Sequence, residues 1–197
     1  MATSKECPIK QLFPTQLTVG MIEVKDKKAA LLALKPKDQS AFMAAHPIPA
    51  IVGPGGRLYI TDHHHLARAA LEAGVGTGIC EIEADLSSSR ADKFWDEMNE
   101  NLWVHPLDEY GVRHVYSALP QHIEALVDDI YRSLAGYVRD AGGYEKTPTA
   151  FAEFVWADYF RRSLAVEAVK ADFHAAVKAA LPLAKSRLAK GLPGYLK

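Results

Sequence analysis

The chain has 197 residues, 49% of them hydrophobic and 24% charged, with a formal net charge of −1 when its eight histidines are counted as neutral. A chain of this length buries roughly 70% of its unfolded surface, enough for one domain with an appended subdomain. The charge argues against a generic electrostatic nucleic-acid binder, though not against a small basic pocket. No apolar run reaches the roughly 18 residues that a membrane span needs.

Met1 to Lys10 has no apolar stretch of signal-peptide type, so a cytoplasmic protein is expected. Cys7 and Cys80 are the only cysteines and form no Cys-x-x-Cys pair. They are expected to be free thiols in a reducing compartment.

In chain order, Leu17 to Val24 predicts a short strand and Lys25 to Leu34 a helix that stops before Pro36. Asp38 to Ala45 fits a further short helix. His46-Pro47-Ile48-Pro49 reads as extended, because a residue before proline avoids the helical region. Ala50-Ile51-Val52, Gly53-Pro54-Gly55-Gly56 and Arg57-Leu58-Tyr59-Ile60-Thr61 then give two apolar runs around a glycine-rich turn, a hairpin pattern. The second run leads into a helix in which Leu66, Ala69, Ala70 and Ala73 share a face. Asp62 is the predicted N-cap and Gly74 the predicted end. Ile79 to Ile82 reads as a strand.

From Ser87 onward the pattern is helical. Candidate helices cover Ser89 to Met98, Asp108 to Ala118, Gln121 to Asp140, Thr149 to Phe173 (with a possible interruption) and His174 to Lys190. Gly142-Gly143 breaks the series. Trp95, Trp103 and Trp156 read as core side chains rather than base-stacking platforms. The fold class expected is α+β: a small mixed-sheet unit over residues 10–85 packed against a helical C-terminal half over residues 86–197.

The chemistry concentrates at Asp62-His63-His64-His65. A helix start exposes unpaired N–H groups and partial positive charge, so anions bind there. Imidazoles donate hydrogen bonds to phosphate oxygens and move protons near neutral pH, and Arg68 brings a fixed charge one turn later. Consecutive helical residues point about 100° apart, so one histidine is expected to pack inward and the three make poor co-ligands of one metal. Arg132, Arg139 and Lys146 lie near the glycine break; Arg132 and Arg139 share a helix face and are candidates to reach across to the histidine corner and clamp a phosphate.

At these residues the sequence resembles the ParB/sulfiredoxin superfamily, in particular its branch of ParB-like nucleases. Asp62, His64 and His65 match an Asp-Gly-His-His-Arg-like box that receives phosphate at a helix start. His63 stands where glycine is usual and Leu66 where arginine is usual, while Arg68 matches the arginine of the Arg-Ala-Ala end of ParB-type boxes. Pro14-Thr15-Gln16, Val19-Gly20 and Glu23-Val24 resemble the family's first strand. Phe94-Trp95, the stretch Asp128 to Leu134, Gly142 to Lys146 and Phe154 to Asp158 resemble later blocks, so the likeness covers roughly residues 12–162. The superfamily includes DNA-binding CTPases, nucleases, sulfinic-acid reductases and free-serine kinases. Cys80 lies outside the box, which argues against a reductase.

The resemblance implies a nuclease or nucleotide-hydrolysing enzyme with Asp62, His64 and His65 as catalytic residues. Phosphate or nucleotide contacts are expected from His63, Arg68, Thr15, Gln16, Arg132 and Lys146, and no protein-bound metal. The alternative is a non-catalytic nucleotide- or phosphate-binding regulatory protein of the same fold. The implied partner is a phosphate-containing small molecule or nucleotide, with Mg compatible as a companion. Nucleic acid is not favoured by the net charge, no membrane is expected, and the oligomeric state is open.

Overall fold

The computed structural model describes residues 3–196. It divides into two units. One holds the chain up to Val19 together with Val24–Val127; the other holds Gly20–Glu23 together with the chain from Asp128.

The first unit is built on a five-stranded mixed sheet. Its strands are β1 (Thr3–Pro8), β2 (Leu12–Pro14), β4 (Ile48–Val52), β5 (Leu58–Ile60) and β6 (Thr77–Asp85), in the order β1-β6-β4-β5-β2. β4 and β5 form the predicted antiparallel hairpin, with Ala50 opposite Ile60. Its turn needs glycine twice over. Gly55 and Gly56 have φ of +73° and +74°, a region that L side chains rarely adopt. A Cβ on Gly53 would stand 2.5 Å from the Tyr59 ring.

β2 lies parallel to β5, with Pro14 opposite Ile60, so both strands end at the same edge of the sheet. α3 (His64–Glu72) leaves that edge and buries Leu66, Ala69 and Ala70, as its spacing predicts. The strand expected over Leu17–Val24 lasts only through β3 (Thr18–Val19), which pairs with β7 (Val127–Asp128). α1 (Met21–Leu32) begins immediately afterwards, and α2 (Pro36–Ala45) starts on its proline, whose missing N–H costs nothing in a first turn.

The boundary expected after residue 85 falls instead between Val127 and Asp128. The reason is packing: α4 (Ala91–Glu100) sends Phe94 and Met98 into one core with Ile51, Tyr59, Leu86, Val104 and Leu119. The helix expected over Asp108–Ala118 is also absent. The Asp108 carboxylate accepts from the N–H groups of Tyr110 and Val112, both at 2.9 Å, and lies 2.7 Å from His114 Nε2. An aspartate that bonds its own backbone in this way competes with helix formation.

The second unit is helical, with α5 (Ile130–Asp140), α6 (Ala152–Ser163), α7 (Val166–Ala171) and α8 (Phe173–Ala184). Asp129 and Asp172 cap α5 and α8 by accepting from Tyr131 N–H and Ala175 N–H, each at 2.9 Å. Asp129 is buried beside the Arg161 guanidinium at 2.7 Å, and burial pushes its carboxyl above the ordinary value against that pull. Trp156, Phe160 and Leu134 centre the core, and Trp156 Nε1 donates to the Pro193 carbonyl at 2.7 Å. Among the described residues no helix is long and apolar enough to cross a membrane.

Cys7 and Cys80 are not free thiols but a disulfide, with Cα atoms 6.1 Å apart. β1 was not anticipated, and its antiparallel pairing with β6 sets Cys7 opposite Gly78, close enough to bridge. A cross-link over a separation of 73 residues stabilises by about 4 kcal/mol in the chain-entropy model. Denaturant unfolding is expected to show that loss in Cys7→Ser and, equally, in wild type kept with a reductant. An unchanged midpoint on reduction contradicts the bridge.

Candidate functional site

β2 and β5 run parallel and end together, and the segments leaving them meet. In α/β sheets the crevice beyond the carboxyl ends of such strands is the usual place for a ligand. Here the segments that meet are Thr15-Gln16 after β2 and Thr61 to His65 after β5.

Thr15 ties the two together. It is 1% exposed; its hydroxyl donates to the Ile60 carbonyl at 2.8 Å, and its backbone N–H donates to His64 Nε2 at 3.1 Å. An N–H donor requires a lone pair on Nε2, so the proton of the His64 ring sits on Nδ1 and the ring is neutral. His64 is therefore the histidine expected to pack inward, at 3% exposure. Gln16 is also buried and forms an isolated parallel bridge with His105, whose N–H donates to the Thr15 carbonyl at 2.8 Å.

The helix cap differs from the sequence reading. The N-cap of α3 is His63, not Asp62, and the His63 side chain makes no capping bond. Asp62 stands one residue earlier, where its exposed carboxylate accepts from His63 N–H at 2.6 Å. His63 has φ +60°, the left-handed region. This explains the position where the resembling box carries glycine, since only glycine enters that region without steric cost. Nδ1 of His63 is buried and has no hydrogen-bond partner among the described residues. His65, on the first turn of the helix, is 9% exposed. The Thr61 hydroxyl donates to Glu83 at 2.9 Å, which adds a carboxylate from β6.

Arg68 lies elsewhere. Its Nη1 donates to the carbonyls of Ile123, Glu124 and Leu126 at 3.3, 2.8 and 3.1 Å, and its Nε bonds Glu72 at 2.7 Å. Those carbonyls belong to the short 3-10 helix Ile123–Ala125 and its C-cap Leu126, and that of Ile123 also accepts from the Leu126 N–H at 3.3 Å. The guanidinium thus holds that stretch to α3 rather than facing an anion at the helix start. Arg132 and Lys146 belong to the second unit. Arg132 Nη1 donates to Glu23 at 2.8 Å, its guanidinium lies 5.4 Å from the Phe154 ring centre, and its buried Nε has no partner among the described residues. Lys146 is exposed between α5 and α6.

No group of three or more His, Cys, Asp or Glu side chains among the described residues could hold a metal ion. His105 and Glu83 had no signal in the sequence. Each is a single residue far along the chain, brought in by a strand register or an isolated bridge.

With this geometry in place, the comparisons with known proteins are informative. Residues 5–162 match the family model described as "Putative ParB-like nuclease". The chain belongs to this ParB-like family. A crystal structure of protein Atu1540 from Agrobacterium tumefaciens is similar along the whole chain: 36% identity, TM-score 0.94, covering 100% of this chain and 97% of that one. A C-terminally truncated chromosome-partitioning protein ParB from Caulobacter crescentus, complexed with CTP-γ-S, is 14% identical with a TM-score of 0.33, covering 94% and 93%. No curated protein matches.

Two expectations follow. The Glu72 carboxyl is held below its ordinary value, chiefly by its hydrogen bond from Arg68 and, against burial, also by Lys28. A lowered folded value means that this stabilisation is complete at neutral pH and is lost as the pH falls through the ordinary glutamate range. Arg68→Ala is expected to lower stability by about 3 kcal/mol, because it leaves carbonyls unpaired, and to flatten that acid dependence; a loss within experimental error contradicts the clamp. His63→Gly is expected to gain about 0.5–1 kcal/mol by relieving the left-handed backbone, read as a rise in melting temperature. A fall instead means that the imidazole holds the turn.

Proposed function

We propose that the start of α3 seats a phosphate and that this protein is a phosphate-site enzyme of nuclease or nucleotide-hydrolysing type. The observation that carries the proposal is the helix start itself: it opens at the shared carboxyl ends of β2 and β5, and its N-cap side chain makes no capping bond. Backbone N–H groups and the helix dipole favour an anion there. Membership of a family described as nuclease-like supports the same reading.

The residues divide by role. Asp62 is exposed and carries a carboxylate at the mouth of the site, suited to orient or deprotonate an attacking water. His65 and His63 are placed to donate to phosphate oxygens or move a proton. His64 is a positioning residue: its Nε2 is engaged by Thr15, so it fixes the helix to the strand end. In hydrolysis the water oxygen bonds phosphorus, the bond to the leaving oxygen breaks, and the water proton passes to the base.

Phosphate release from ATP and CTP, and cleavage of DNA, should be followed with magnesium present for wild type, Asp62→Asn and His65→Gln. Wild-type turnover is expected, reduced about 10²–10⁴-fold in the variants, the usual contribution of a general acid or base. Absent turnover, or turnover that neither variant changes, overturns the catalytic reading.

A second reading, favoured by the engagement of Arg68 away from the helix start, is a binder that keeps the phosphate seat without hydrolysis. Calorimetry then shows nucleotide or phosphate binding by wild type that Asp62 and His65 variants alter, with no product formed.

A further inference from the structure

Two clefts in the first unit meet at Arg57. One, of about 430 Å³, runs along β1 and the turn that follows it, and Lys5, Lys10, Arg57 and His122 line it. The other, of about 200 Å³, is walled by Phe13, Tyr59, Trp95 and Tyr116. Phe13 and Arg57 belong to both, and the Arg57 guanidinium lies 5.3 Å from the Phe13 ring centre. The two clefts therefore adjoin across this pair, the one cationic and the other aromatic, and together they are read as one groove. Arg57, which the two clefts share, immediately precedes β5, whereas the histidines follow it.

Among the described residues, Lys5, Lys10 and Arg57 make no ion pair. Glu6 is the sole carboxylate on either lining. Three cations against one carboxylate give this lining a positive excess in a chain of net charge −1. At the aromatic end, the partly exposed Trp95 and Tyr116 rings stack at 5.1 Å with 13° between their planes. Nothing stands within 4 Å of where a Cβ on Gly55 or Gly56 would lie, which keeps the rim beside Arg57 low.

We propose that this groove binds a single strand of nucleic acid, with phosphates on Lys5, Lys10 and Arg57 and bases against the Trp95–Tyr116 face. A cationic track beside aromatic platforms is the combination that serves unpaired strands, since bases offer ring faces only when unstacked. A duplex hides those faces and leaves the aromatic end without a partner. A proline-rich peptide fits the aromatic end but leaves the three cations unpaired. This reading does not depend on chemistry at the start of α3.

The test uses the full chain and a fluorescently labelled oligothymidylate of about a dozen nucleotides, within the usual site sizes, titrated at several salt concentrations. Saturable binding is expected, with the salt slope reduced by about 0.7 in each of Lys10→Gln and Arg57→Gln. Both side chains are exposed, so these variants fold. Tyr116→Leu is expected to weaken binding roughly ten-fold at unchanged slope, which separates stacking from charge. His65→Gln is expected to bind as wild type does, so loss of hydrolysis and loss of the groove read out separately. The proposal is overturned by absence of binding at low salt, by slopes that neither charge variant changes, by a duplex bound as tightly as the strand, or by His65→Gln abolishing binding. Saturation by a proline-rich acidic peptide where the oligonucleotide fails assigns the groove to peptide and also overturns it.

Discussion

The backbone amide of Thr15 decides how the histidine corner is arranged. By donating to His64 Nε2 it fixes that ring as the neutral Nδ1–H tautomer and draws it into the interior, while the Thr15 hydroxyl grips the end of β5. One residue thereby joins the end of one strand, the end of its parallel neighbour and the first turn of the helix that follows. Because consecutive helical side chains diverge by about 100°, holding His64 inward also sets the direction left to His65, while His63 lies on left-handed backbone before the helix. One turn further on, Arg68 secures the same helix by gathering three carbonyls of the stretch before β7. The helix start is thus positioned by neutral and charge-assisted bonds alike.

Much of this was legible in the sequence because the signals were local. The hairpin of β4 and β5 follows from Gly53 to Gly56 between two apolar runs, and α3 follows from the spacing of Leu66, Ala69 and Ala70. The family likeness, carried by Asp62, His64 and His65, pointed to the segment where the strand ends converge. What stayed hidden was set by distant pairing. β1 carries no alternating apolar pattern, since Cys7 is its one buried residue, so the strand and its disulfide depend on β6 rather than on their own composition. Asp62 looked like an N-cap because its type favours that role, but the left-handed turn at His63 moved the cap by one residue. Arg68 looked like a free charge because nothing in its neighbourhood announced the carbonyls near residue 124. The helix expected at Asp108 failed because that carboxylate had closer backbone donors.

β5 is three residues long and has polar chemistry at both ends. Arg57 precedes it and Thr61 to His65 follow it, a separation of roughly 13 Å from one flank to the other at ordinary strand rise. Its own side chains, Leu58, Tyr59 and Ile60, are all buried. The buried strand thus fixes the spacing between Arg57 and the start of α3.

The bridge between Cys7 and Cys80 has a topological consequence. The segments of the histidine corner from Thr15 through His65 lie inside the covalent ring it closes, whereas Glu83 and His105 lie outside it. A protease that cuts once within that ring, for instance at the exposed Gly55-Gly56 turn, opens the ring but releases no fragment. The two pieces travel together until the sulfurs are parted, so the chain can be nicked there and still keep both halves of its corner tethered.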